Sequence, residues 1–312
     1  MAGRLQVCLF GRFEVRRGGQ VLDGVGVPKV QQMFCYLLLY RDRPHPREAL
    51  AHLLWDDDHT DQPNRCLRKT LWQLRTALDA PSETLDEPLL WVDPEWVQIN
   101  PQATLWLDTA VFEQAFNQTR GVPGRALDVA SAQALKRALD LYRGGLQESW
   151  YQDWYLYERE RFRHMYLILL DKLMGYDEAQ HSYEEGLAYG TLILRCDQAS
   201  ERTHRRLMRL YYLAGDRTAA LRQYERCARA LAEELGVEPA QSTVALYQRI
   251  RADRLAPPVL PPTQSAGPVR TTASPLPVLL QRLRRLEQAL IELEHEVRQD
   301  ISTVWLSMNG QG

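Results

Sequence analysis

The residues best suited to do chemistry lie between Asn64 and Leu78, in NRCLRKTLWQLRTAL. Wound at 100° per residue, Leu67, Leu71, Leu74 and Leu78 fall within about 60° of one another, an apolar stripe that must face a core. Arg65, Lys69, Trp72, Gln73 and Thr76 then occupy the opposite face, with Arg68 and Arg75 on its flanks. This stretch carries four cations and no acid, in a chain whose formal net charge is -2. Guanidinium and ammonium groups on an outward helix face bind phosphates and read guanine O6 and N7 in a major groove. Gln73 can pair with adenine, and the Trp72 indole can meet thymine methyls. The pattern predicts a DNA-reading helix. In it Arg65, Lys69, Trp72 and Gln73 are base readers, Arg68 and Arg75 are phosphate clamps, and Thr76 lies beside them. A plain solvated basic face is the competing reading, as is Trp72 packed on a neighbouring domain.

Other chemistry is harder to assemble. Cys8, Cys35, Cys66, Cys196 and Cys227 are too dispersed for a chelating or redox pair, which predicts reduced, buried or half-buried thiols. His45, His52 and His59 recur every seven residues, but Pro46 and the acidic run Asp56–Asp58 interrupt any helix that could align them. Asp56, Asp57, Asp58 and Asp61 lack the regular ligand order of a calcium loop. Gly18-Gly19 reads as a strand turn, without phosphate-binding spacing. The expectation is a protein that is not an enzyme and has no metal and no cofactor; a small-molecule effector is left open. Trp150, Trp154 and Tyr157 would share one face of a helix, either packing a first repeat layer or lining a peptide or ligand groove.

The elements that must position these residues follow from spacing. Leu5–Phe10, Phe13–Arg16 and Val21-Leu22, separated by Gly11 and Gly18-Gly19, predict a small antiparallel sheet. After Pro28 the apolar period becomes helical through Val30, Met33, Phe34, Leu37 and Leu38. Pro44 and Pro46 separate that helix from one over Arg47–Trp55, and Pro63 opens the helix that ends near Leu78. Leu89–Val92 and Val97–Asn100 predict a hairpin, or wing, in which Trp96 and Asn100 are weaker DNA-contact candidates. Residues 1–103 are therefore predicted to form a winged-helix DNA-binding domain.

Helices then dominate residues 104–255, expected at Ala110–Gln118, Ser131–Leu141, Asp153–Leu173, Tyr183–Leu194, Glu201–Ala214, Thr218–Glu234 and Gln241–Arg251. A repeat of 34 residues is visible. Counting from Glu201, Leu207, Tyr211, Ala220, Tyr224 and Cys227 fall where a tetratricopeptide-like helix pair packs. One period earlier stand Leu173, Gly186 and Gly190, whose small side chains allow close helix approach.

Seven prolines stiffen residues 256–277, a linker. Over 278–306, Leu279, Leu283, Leu286, Leu290, Leu293 and Val297 step by four and three residues, predicting a coiled-coil helix that self-associates, with a dimer as the simplest state. With 45% apolar and 25% charged residues, the 312-residue chain has ordinary globular composition. Lys and Arg exceed Asp and Glu over residues 1–80, whereas 81–95 hold five acids and no base. No apolar run approaches a bilayer span and no secretory leader is visible, so a soluble, cytoplasmic protein with no membrane partner is expected.

With the elements in place, the chain resembles the streptomycete antibiotic regulatory protein family. The resemblance rests on LFGRFEVRRGG (Leu9–Gly19), REALAHLLWDDD (Arg47–Asp58) and the Asn64–Leu78 helix. In the second half it rests on LYRGGLQESWYQDWYLYERERFR (Leu141–Arg163) and AALRQYERCARALAEELGVEP (Ala219–Pro239). It implies a mostly α, multidomain chain: a response-regulator-type winged helix with a small sheet, then an α/α tetratricopeptide-like superhelix forming a bacterial transcriptional activator domain. The family's function would be activation from repeated promoter sites on double-stranded DNA, through contact with RNA polymerase and as a homo-oligomer. Trp72 departs from the small or polar residue usual in the family helix, which implies a different operator. Repression, or a repeat-based interaction or effector-binding module with weak or lost DNA binding, is the alternative.

Overall fold

The computed structural model describes residues 5–55, 62–78, 88–146 and 150–255. The acidic run at 56–61, the proline-rich segment and the heptad stripe, with Leu279, Leu283, Leu286, Leu290, Leu293 and Val297, lie outside the described residues.

The chain is mostly helical with a small N-terminal sheet, as expected. β1 (Leu5–Cys8) pairs antiparallel with β2 (Glu14–Arg17), placing Val7 opposite Val15, and β2 pairs with β3 (Gln20–Val21). α1 (Pro28–Leu39), α2 (Arg47–Trp55) and α3 (Pro63–Leu78) follow. The wing is a three-stranded sheet: β4 (His45–Pro46), which precedes α2, pairs with β6 (Trp96–Ile99), and β6 pairs with β5 (Leu90–Val92). β7 (Leu105–Leu107) then returns to the first sheet and runs parallel to β1, giving the order β3-β2-β1-β7.

The remaining helices are α4 (Asp108–Gln118), α5 (Val129–Leu141), α6 (Asp153–Ala179), α7 (Tyr183–Cys196), α8 (Glu201–Leu213), α9 (Arg217–Leu235) and α10 (Gln241–Arg251). Local chemistry sets several ends. The Asp128 carboxylate accepts from Ser131 N at 2.6 Å to open α5, and that of Asp216 from Ala219 N at 2.8 Å to open α9. Gly236, at φ 66°, ends α9 in the left-handed conformation that glycine adopts without a steric penalty. α6 runs on to Ala179, past the expected stop near Leu173, because Met174 and Asp177 continue its buried face.

One apolar core runs from the winged-helix half into the helices. Phe10, just after β1, touches the rings of Phe112 (5.3 Å), Tyr142 (5.1 Å) and Phe162 (5.2 Å). Polar ties cross the same boundary. The buried Asp108 carboxylate, at the start of α4, accepts from Leu9 N at 2.8 Å, Phe10 N at 2.9 Å and Thr109 N at 2.7 Å. Burial raises its pKa above 3.8, against the lowering effect of those amides. Glu113 of α4 receives Arg41, in the turn after α1, at 2.9 Å and Arg161 of α6 at 2.7 Å. The sheet that carries the winged helix is thus fastened to α4 and α6 by packing and by charge.

The repeat positions read from the sequence pack as a layered array. Leu173, Leu207, Ala220 and Cys227 are buried, and α7 sits against α8 through its glycines. A Cβ on Gly190 would lie 2.5 Å from Leu207 Cδ2 and 3.1 Å from Met174 Cε, so only hydrogen fits there without movement. Gly190→Val is expected to cost about 1–3 kcal/mol, the usual penalty for overpacking, seen as a lower urea midpoint with unchanged slope. A midpoint equal to the wild type would show that α7 and α8 do not meet there.

Two buried histidines make the fold acid-sensitive. His204 Nδ1 accepts from Gln223 Nε2 at 2.7 Å while its Nε2–H donates to Gln198 O at 2.9 Å, an arrangement that suits the neutral ring. Burial lowers its pKa below 6.5, and likewise that of His45, whose Nε2–H donates to Tyr40 O. Falling pH therefore protonates these rings in the unfolded chain first. The stability they support is complete above pH 6.5 and is lost as pH falls through that value toward the folded pKa. The His204 and His45 ring protons should titrate by NMR with midpoints under 6.5, and the melting temperature should drop on acidification. Midpoints at or above 6.5 would contradict the burial argument.

Candidate nucleic-acid interface

α3 is oriented by its leucines. Leu67, Leu71, Leu74 and Leu78 are at most 3% exposed and belong to the common core, and Thr70 is buried beside them. Two contacts absent from the sequence reading fix the far end of the helix. Arg17 Nη2, from β2, donates to Leu78 O, satisfying a terminal carbonyl with a cation where the helix dipole favours one. Gly24, in a single 3-10 turn at Asp23–Val25, brings its backbone against Ala77; a Cβ there would fall 2.7 Å from Ala77 Cβ. Neither had a sequence signal, because both depend on chain segments over 50 residues apart being brought together by the fold.

With one face buried, the other is presented outward. Arg65, Arg68, Lys69, Trp72, Arg75 and Thr76 are exposed, and Trp72 keeps 67% of its surface open. Gln73 is half-buried, on the shoulder of the face rather than at its centre. Arg65 Nη1 lies 3.4 Å from Gln62 Oε1, an exposed contact that leaves the guanidinium at the surface. Among the described residues no carboxylate forms an ion pair with Arg68 or Lys69. The face thus combines cations of long reach with one large exposed aromatic ring.

The wing adds a second outward surface. Strand alternation puts Val97 and Ile99 in the core and Trp96, Gln98 and Trp91 on the opposite side. Trp91, which the sequence reading passed over, is 46% exposed, and Trp96 is 42% exposed. The alternation within LLWV was the available signal for Trp91. Asn100 does not face outward: it is buried, donates from Nδ2 to Pro88 O and accepts from Gln102 N, closing the turn after β6. Arg47, at the start of α2, steadies the wing tip by donating from Nη1 to Asp93 O at 3.1 Å.

Trp150, Trp154 and Tyr157, which the spacing puts on one helical face that either packs a repeat layer or lines a groove, are not brought together on one face. Trp150 precedes α6, which starts only at Asp153, so helical spacing does not apply to it; it is buried against Tyr155 at 4.9 Å. Trp154 meets Tyr36 of α1 edge-on at 5.1 Å, part of the join between the two halves. Tyr157 alone points to solvent. None of the five cysteines is joined in a disulfide, and all are buried or half-buried. No helix among the described residues is long and apolar enough to cross a membrane.

Residues 107–251 match the bacterial transcriptional activator domain. The chain carries that domain, in line with its resemblance to the streptomycete antibiotic regulatory proteins. It is 25% identical over 299 residues to the regulatory protein AfsR of Streptomyces coelicolor, covering 89% of this chain and 27% of AfsR. It therefore spans only about a quarter of that relative's length. It is also 25% identical over 262 residues to the transcriptional regulatory protein MoaR1 of Mycobacterium tuberculosis, covering 80% of each chain. Among solved structures, Mycobacterium tuberculosis EmbR, in complex with a low affinity phosphopeptide, shares the fold. The match has a TM-score of 0.59 at 20% identity and covers 82% of this chain and 67% of that one.

Proposed function

We propose that this protein is a sequence-specific DNA-binding transcriptional regulator, which acts in the cytoplasm as an activator at repeated promoter sites and contacts RNA polymerase. The observation that carries the reading is the outward face of α3. It is acid-free and bears Arg65, Arg68, Lys69 and Arg75 around an exposed Trp72, on a helix whose other face is locked into the core. In this reading Arg65, Lys69, Trp72 and Gln73 meet base edges, Arg68 and Arg75 hold phosphates, and Thr76 supports them. The relationship to AfsR and MoaR1, both described as regulatory proteins, supports the same reading. The winged-helix half, near residues 1–103, supplies DNA contact. The helical half, near 104–255, supplies the surface for polymerase, and the heptad stripe at 278–306 supplies self-association.

Selection of bound fragments from genomic DNA tests this. The wild type should enrich one motif in repeated copies, with binding that falls steeply as salt rises because each phosphate contact releases counterions. Folded protein that enriches no motif would overturn the proposal.

A further inference from the structure

The edge formed by α6, α7 and the loop after α5 encloses an open cleft of about 730 Å³, a size typical of small-molecule sites. Arg159, Arg163 and Arg195 line it together with Tyr142, Tyr151 and Tyr166. Among the described residues, only one of these three cations has a carboxylate partner. Arg163 pairs with the exposed Glu160 at 3.2 Å and donates to Cys196 O, but among the described residues no carboxylate forms an ion pair with Arg159 or Arg195. Tyr142 and Tyr166 stack on each other at 4.1 Å, whereas Tyr151 is 74% exposed and keeps its ring free.

We propose that this cleft binds a nucleotide. Phosphate oxygens would sit between the Arg159 and Arg195 guanidiniums, with Arg163 completing the cradle, and the base would stack on Tyr151. Among the described residues of the lining, three guanidiniums stand against one carboxylate, which selects a ligand with more than one negative charge, and planar forks match phosphate oxygens bidentately. An aromatic ring left open on the rim of a cationic cleft matches the π-face of a base, which inorganic phosphate or a simple carboxylate lacks. The site stands apart from α3 and does not rest on the DNA reading. It does touch the winged-helix half through its loop: Gly145, in the cleft wall, accepts from Gly11 N at 2.6 Å.

Calorimetric titration of the full chain with ADP and GDP, beside adenosine and inorganic phosphate, tests the proposal. At least one nucleotide should bind saturably at one site, with adenosine and phosphate each weaker by about tenfold or more. Arg159→Ala and Arg195→Ala should each weaken that nucleotide about tenfold, and Tyr151→Ala similarly, while Tyr151→Phe changes it less than about twofold. Among the described residues, the side chains of Arg159, Arg195 and Tyr151 form no hydrogen bond or ion pair, so melting temperatures should stay at the wild-type value. Absence of saturable nucleotide binding would overturn the assignment, as would undiminished binding by both arginine variants. Phosphate or an acidic hexapeptide binding as tightly as the nucleotide would overturn it equally.

Discussion

Asp108→Ala is expected to destabilise the protein by about 3–5 kcal/mol, because it strands three buried backbone amides and removes a charge-assisted acceptor. The amides of Leu9, Phe10 and Thr109 all point at this carboxylate, and none is near water. The lesion also falls on the join: Leu9 and Phe10 leave β1, while Asp108 begins α4 directly after β7. Urea unfolding should therefore show both halves weakening together, with a midpoint shift seen identically by far-UV dichroism and by tryptophan fluorescence. Asp108→Asn should fall between, since its one remaining oxygen still accepts while its amide nitrogen opposes the donors. A loss under about 1 kcal/mol for the alanine variant would mean that ring packing around Phe10 holds the halves without this acceptor.

The second large effect concerns DNA. Arg65→Ala with Lys69→Ala should lower affinity for the selected site by about 10²–10³, taking about 1–3 kcal/mol for each lost base contact. Arg68→Ala should act differently, weakening all sequences alike and reducing the salt slope by about one. Trp72→Ala should relax the preference at a thymine position while leaving that slope unchanged. All four side chains are exposed, so stability should move by less than about 0.5 kcal/mol. Filter binding or fluorescence anisotropy at several salt concentrations separates these outcomes.

Much of this arrangement is legible in the sequence. Elements with a strong period were placed within a few residues: α3 through its four leucines, α8 and α9 through the repeat, the wing through Val97 and Ile99. What escaped were features made by distant segments. β7 is three residues long and pairs with β1 a hundred positions earlier, so no local pattern marks it. β4 is a dipeptide ending in Pro46, an edge strand that looks like a helix boundary. The spacing of Trp150 to Trp154 fits a helix turn and suggests one shared face, but Trp150 stands ahead of α6, which begins at Asp153. The outward face of α3 was legible, apart from the half-buried position of Gln73. The parts that aim it, Arg17 on Leu78 O and Gly24 against Ala77, were not.

The measurement closest to the central claim is guanine N7 methylation interference on the selected site, wild type against Arg65→Ala. If the outer face of α3 enters the major groove, methyl groups on particular guanines in each repeated half-site block the wild type, and one of those positions stops mattering to the variant. Unchanged affinity in a chain with Arg65, Arg68, Lys69 and Trp72 all replaced by alanine, or a wild type that no guanine N7 methyl group blocks, would contradict the account.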